Sequence, residues 1–186
     1  MTFKKLLLTS LFLVNILHAE NSLGININSD DVEVLASVNL NSLTNYADGT
    51  TYILDLSYLH ADDNLLAVGI SGQNAFQSLE GLTLAFGLKG IMADEFLAFP
   101  LTAKAVYRLP LNAMIPPTSL ITSFAYAPSV LSFQDAQSYT EFRVEADMEV
   151  ISNIHIFTGY RNIDTEYERT DKTFNSSFYG GLKLSF

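Results

Sequence analysis

The chain has 186 residues, of which 48% are hydrophobic and 12% aromatic; it carries a formal net charge of −10 and contains no cysteine. The missing thiols exclude disulfide staples and thiolate metal sites. The acid excess argues against nucleic acid as a partner, which needs a basic patch.

Lys4 and Lys5 precede an apolar run from Leu6 to Leu17, broken only by Thr9, Ser10 and Asn15, and His18 and Ala19 follow. This is the layout of a secretory signal peptide. The run is too short for a bilayer, which needs about 20 residues. A cleaved leader over residues 1–19 and one domain over residues 20–186 are therefore expected. Loss of the leader leaves 8 basic against 20 acidic side chains, a net charge of −12. Beyond it no apolar stretch reaches the length of a membrane helix, and high but interrupted apolar content points to strands.

In chain order, apolar residues alternate with polar or small ones at a period of two, which is strand spacing. After a short segment from Leu23 to Ile27, Val32, Val34, Ala36, Val38 and Leu40 oppose Glu33, Leu35, Ser37 and Asn39. From Thr51 to His60, Tyr52, Leu54, Leu56 and Tyr58 oppose Asp55 and Ser57. A weaker segment covers Leu65 to Ser71. From Gly81 to Lys89, Leu82, Leu84, Phe86 and Leu88 oppose small residues and Lys89. Leu101, Ala103, Ala105, Tyr107 and Leu109 then oppose Thr102, Lys104 and Arg108. Pro110, Pro116 and Pro117 mark the stretch from Leu109 to Pro117 as a connection.

After a further candidate from Leu120 to Ala127, the alternation is clearest from Tyr139 to Val150. There Phe142, Val144, Ala146, Met148 and Val150 alternate with Glu141, Arg143, Glu145, Asp147 and Glu149. Ile154, Ile156 and Tyr160 oppose His155, Gly159 and Arg161. In the last segment Phe174, Phe178, Leu182, Leu184 and Phe186 oppose Tyr179, Gly181, Lys183 and Ser185. Ten strands result, with eight as the alternative: an all-β, closed, antiparallel transmembrane β-barrel of up-and-down meander topology. Turns are expected at Asp62-Asp63 and Ser152-Asn153.

The polar face holds Glu33, Asp55, Glu141, Glu145, Asp147 and Glu149 against Lys89, Lys104, Arg108, Arg143, Arg161 and Lys183. Six acids balance six bases in a chain otherwise strongly acidic. Charges enclosed in a narrow interior must be paired, so this face is read as a luminal charge network with lipid outside. Arg143 and Arg161 are expected to fork onto carboxylates such as Glu141, Glu145 and Asp147.

Eleven acids fall on connections at one end: Asp30, Asp31, Asp62, Asp63, Asp94, Glu95, Asp135, Asp164, Glu166, Glu168 and Asp171. The other end holds only Asp48 and Glu80. Such a rim invites divalent cations, which prefer carboxylate oxygens, and through them lipopolysaccharide; charge repulsion and loop solubility are the alternative reading.

Tyr179, Gly181, Leu184 and Phe186 resemble the C-terminal signal read by the bacterial outer-membrane assembly machinery. The run Phe124-Ala125-Tyr126-Ala127-Pro128-Ser129-Val130-Leu131-Ser132-Phe133, then Asp135-Ala136, Tyr139, the Gly159-Tyr160-Arg161 triplet after Asn153 and the Gly-rich ending resemble the YfaZ family of small outer-membrane proteins. The resemblance implies a barrel in the Gram-negative outer membrane and carries no activity.

Zinc signatures, phosphate loops and nucleotide fingerprints are absent, and no cofactor is expected. The leading expectation is a non-enzymatic envelope protein with a charged, packed lumen; the alternatives are a narrow solute channel and a lipid-modifying enzyme. An enzyme would need a nucleophile and base, for which His60 with Ser57 or Ser71 and His155 beside Ser152 are the candidates.

Overall fold

The structure, a computed structural model, describes residues 21–42, 49–94, 96–112, 114–167 and 171–186. The leader expected over residues 1–19 and the acids Glu20, Asp48, Glu95 and Glu168 lie outside the described residues.

Among the described residues twelve strands form: β1 (Ser22–Ile27), β2 (Val32–Asn39), β3 (Thr51–His60), β4 (Asn64–Ala75), β5 (Leu82–Met92), β6 (Phe96–Ala98), β7 (Leu101–Arg108), β8 (Thr118–Ala127), β9 (Ser132–Gln134), β10 (Ala136–Ile151), β11 (Ile154–Tyr167) and β12 (Asp171–Ser185). Ten of them close an antiparallel barrel in which each pairs with its chain neighbours and β12 returns to β1. The eight-strand alternative does not hold. No helix among the described residues is long and apolar enough to cross a membrane; the crossing is made by strands.

The two short strands extend the barrel wall. β6 pairs with β5 at Ile91 and Met92 and runs into β7 through Phe99 and Pro100, while β9 pairs with β6. Both stand at the end away from the chain termini, here called the distal end; the terminal end carries Ser22 paired with Ser185.

Alternation sets the faces. Leu23, Val34, Leu56, Val68, Phe86, Leu101, Phe124, Val144, Ile156 and Leu182 are all exposed on the outer wall. An apolar surface that runs round a whole barrel exceeds any patch a water-soluble monomer tolerates. Inward, by contrast, Glu33 and Arg161 are 0% exposed. Apolar outside and ionic inside is the membrane-barrel arrangement, and closure leaves no strand edge with unpaired backbone groups towards lipid.

Two placements differ from the sequence-based reading. Phe174 shares parity with Phe178 and was expected on the outer wall, but the register shifts at Ile163/Asp164. A bulge reverses the alternation there, and Phe174 turns inward to pack edge-on against Phe96 at 6.0 Å. Asp31 was expected on a solvated rim; instead its turn tucks the carboxylate inward, where it is 6% exposed.

Candidate functional site

Three layers fill the lumen from the distal end downward. The first is apolar. Leu59, Leu65, Ile91, Phe96, Tyr139 and Ile163 are each at most 1% exposed, and Ala98, Ala127 and Ala136 fill the space between them. Phe96 comes from the wall extension β6 and meets Tyr139 at 5.9 Å, Tyr167 at 6.5 Å and Phe174 at 6.0 Å. Aromatic rings from four strands therefore converge over the distal opening.

Beneath this plug lies an ionic layer. Arg143 on β10 and Arg161 on β11 are direct cross-strand partners. Like charges in that position repel, so a shared anion is required. Glu33 supplies it from β2. Arg143 grips it with both Nη atoms at 2.8 and 2.9 Å, and Arg161 Nη1 donates at 2.6 Å. Asn26 is the third residue to donate to Glu33, at 2.8 Å.

The layer continues in alternating sign. Arg143 Nε donates to Glu141 at 2.5 Å, and Glu141 also accepts from Lys89 Nζ at 2.6 Å and Tyr139 Oη at 2.8 Å. On the other flank Arg161 reaches Asp31 at 3.3 Å and Asn175 at 2.9 Å. Asn175 donates in turn to Asp31 at 2.7 Å. Lys89, Glu141, Arg143, Glu33, Arg161 and Asp31 thus form a neutral chain from β5 to β2 across the lumen. Burial alone would hinder ionisation of Asp31, but hydrogen bonds from Asn175, Asn28 and Ser177 and the charge of Arg161 outweigh it and hold its carboxyl below the usual range.

Arg161 is placed by its neighbours as well as its partners. Its guanidinium carbon lies 5.4 Å from the Tyr179 ring centroid. That ring lies over Gly159, where a Cβ would collide with Tyr179 and with the Val144 carbonyl. Glycine here makes room for the aromatic platform, as cross-strand aromatic–glycine pairs do.

The third layer is open. A cavity of about 290 Å3 has Lys89, Glu141 and Arg143 as its roof. Its walls include Ser37, Asp55, Ser71, Ala85, Lys104 and Ser123, with Glu145, Tyr179 and Lys183 on the remaining side. Lys104 and Arg108 are exposed although they face inward. Near the terminal end Asp147 pairs with Lys183 and with His155 Nδ1, the latter at 2.7 Å, and Glu149 accepts from the Asn153 amide at 3.1 Å.

All twelve charges named from the sequence face the lumen, but they do not form one network. Glu33, Lys89, Glu141, Arg143 and Arg161 join the buried chain. Asp147 and Lys183 form a separate pair; Asp55, Glu145, Lys104, Arg108 and Glu149 stand in the open layer. The partners foreseen for Arg161 were Glu141, Glu145 and Asp147, whereas it binds Glu33 and Asp31. Asp31, Tyr139 and Asn175 join the network beyond the twelve charges. Tyr139 was legible, since it shares parity with Glu141; Asp31 was not, because a turn has no parity.

The assembly pattern sits on β12, where Gly181 leaves room for the Phe157 ring and Phe186 exchanges backbone hydrogen bonds with Asn21 at 2.9 Å in each direction. The catalytic candidates are not assembled. Ser57 and Ser71 face the lumen, whereas His60 lies on the outer face with its Nδ1 2.7 Å from Asn64. His155 is engaged by Asp147, not by Ser152. On the rim Asp164 accepts from Thr173 and Glu166 from Ser138, both at 2.8 Å, and among the described residues no three His, Asp or Glu side chains group to hold a metal.

Among solved structures the fold is shared with a KdgM porin in complex with disordered oligogalacturonate, at 10% identity and TM-score 0.50, over 90% of this chain and 99% of that one. It is also shared with a bacterial polysaccharide outer membrane secretin, at 12% identity and TM-score 0.51, over 84% of this chain but 56% of that one. Identities this low show the fold alone. No curated protein matches the chain. The family model described as YfaZ precursor, however, matches residues 4–186. The apolar wall, the closed meander and this match agree: the chain belongs to the YfaZ family and is a ten-stranded β-barrel of the outer membrane.

Proposed function

We propose that this protein is a non-enzymatic barrel whose lumen is sealed towards the exterior and open to the periplasm, with both termini periplasmic. One observation carries the reading: the Arg143–Glu33–Arg161 bridge crosses the lumen with Glu33 and Arg161 fully buried, directly beneath the aromatic plug. Parting those charges while they stay desolvated costs several kcal/mol per ion. A ten-stranded barrel is narrow enough for side chains to fill much of it, whereas open aqueous pores belong to wider barrels.

Planar bilayers containing the purified barrel should show no steady single-channel current. A large, stable conductance of the unmodified protein would overturn the sealed lumen.

The second reading is a narrow channel, favoured by the cavity of about 290 Å3 in the terminal half and by the fold shared with a porin. It requires the plug and the ionic bridge to open together. Glu33→Gln removes the anion both arginines share, so under this reading it should raise open probability. Under the sealed-lumen reading it should only destabilise.

The acidic distal loops stay a candidate contact for divalent cations and lipopolysaccharide, and the ending Tyr179, Gly181, Leu184 and Phe186 a candidate signal to the outer-membrane assembly machinery. A cleaved leader ending at Ala19 completes the proposal.

A further inference from the structure

Of the inward charges without an ion pair among the described residues, Asp55, Lys104 and Glu145 border one cavity, whereas Arg108 and Glu149 lie outside its lining. Lys89, Arg143 and Lys183 each touch a carboxylate. Lys104 on β7 faces the cavity exposed and makes no hydrogen bond or ion pair among the described residues. Among the described residues Asp55 on β3 accepts only the Ser37 hydroxyl, at 2.5 Å. Among the described residues Glu145 on β10 accepts only the Tyr179 hydroxyl, at 3.2 Å.

These three groups stand on separate walls. In the ring of ten strands β3 and β10 are five apart, on opposite sides of the barrel, and β7 lies between them through β8 on one flank and β5 and β4 on the other. One cation and two carboxylates thus face the same space without a counter-ion in contact. Their complement is a molecule with one carboxylate and two ammonium groups. The volume, about 290 Å3, falls just below the range of roughly 300–1,000 Å3 usual for small-molecule pockets. The ionic roof closes the space on its distal side.

We propose that the cavity binds a small diamino carboxylate, with its carboxylate on Lys104 and its ammonium groups on Asp55 and Glu145. Charge-assisted hydrogen bonds would hold both ends, and the hydroxyls of Ser57, Ser71 and Ser123 line the space between. Access from the periplasm rests on the sealed-lumen reading, but the binding chemistry does not.

Calorimetry on the full barrel in detergent micelles tests this with three probes. Ornithine carries all three charges, putrescine lacks the carboxylate, and 5-aminovalerate lacks the α-ammonium group. Ornithine should bind at least about tenfold more tightly than either analogue. Lys104→Gln should abolish the preference over putrescine, Lys104→Arg should keep it, and Asp55→Asn should weaken both diamines. Equal binding of the three probes, no heat from ornithine, or an unchanged preference in Lys104→Gln each overturns the proposal. Heat-modifiable migration on gels establishes that each variant is folded. Because conductance is not measured, a null result here leaves the sealed lumen standing, and a conducting barrel that still selects ornithine would refute only the seal.

Discussion

The two halves of the lumen are built from the same kinds of charged residue, yet they differ in what surrounds each charge. In the distal half Glu33, Glu141, Arg143 and Arg161 each have two or more hydrogen-bonding partners, and Glu33 and Arg161 have no exposed surface. In the terminal half Lys104 and Arg108 are exposed, and among the described residues Asp55 and Glu145 meet hydroxyls alone. Dryness makes the difference. Under the sealed-lumen reading the plug keeps water from the upper layer, so charges there must find protein partners; below the roof water is available and pairing becomes optional.

The sharpest way to break this contrast is Glu33→Gln. Removing the shared carboxylate leaves Arg143 and Arg161 facing one another as cross-strand neighbours in a dry layer. The expected loss is about 3–5 kcal/mol, read as a lower urea midpoint in lipid vesicles. A change below about 1 kcal/mol would mean that water reaches the layer and that the halves do not differ as described.

Phe96→Ala attacks the plug instead of the bridge. The ring packs against Tyr139, Tyr167 and Phe174, and truncating a buried phenylalanine costs about 3 kcal/mol or more. The more telling readout is access. With the plug thinned, a thiol placed by Ser123→Cys on the cavity wall should still be unreactive towards an impermeant reagent added to intact cells, because the ionic bridge remains. Reaction at that thiol would assign the seal to the ring alone.

Much of this was legible from residue types at a spacing of two. The alternation from Glu141 to Glu149 fixes which side chains share a face, and a balance of acids and bases in an acidic chain marks that face as enclosed. Parity carries no information on depth, however. Glu33 and Asp55 look alike in the sequence, and only the cross-barrel stagger puts the first between two arginines and the second beside Ser37. Nor does parity survive irregularities. The bulge at Ile163/Asp164 turns Phe174 against its parity, and Asp31 sits in a turn that points inward, where Arg161 and Asn175 receive it.

The smallest expected effects come from comparing two lysines on adjacent strands, Lys89 on β5 and Lys104 on β7. Both are inward-facing cations, and chemically the substitutions Lys89→Gln and Lys104→Gln are identical. Lys89 roofs the cavity and donates to Glu141 at 2.6 Å. Its loss leaves Glu141 with Arg143 and Tyr139, so the carboxylate is weakened rather than orphaned. A cost of about 1.5–3 kcal/mol is expected, the range for a hydrogen bond to a charged group. Lys104 touches no protein partner among the described residues and is already hydrated, so its removal should change stability by less than about 0.5 kcal/mol. The difference between the variants, measured as urea midpoints in the same vesicles, compares the dry and wet levels with residue type held constant. Equal costs would place Lys104 in contact with an anion, or Lys89 in water, and the boundary between the halves would then lie elsewhere than at the Lys89–Glu141 roof.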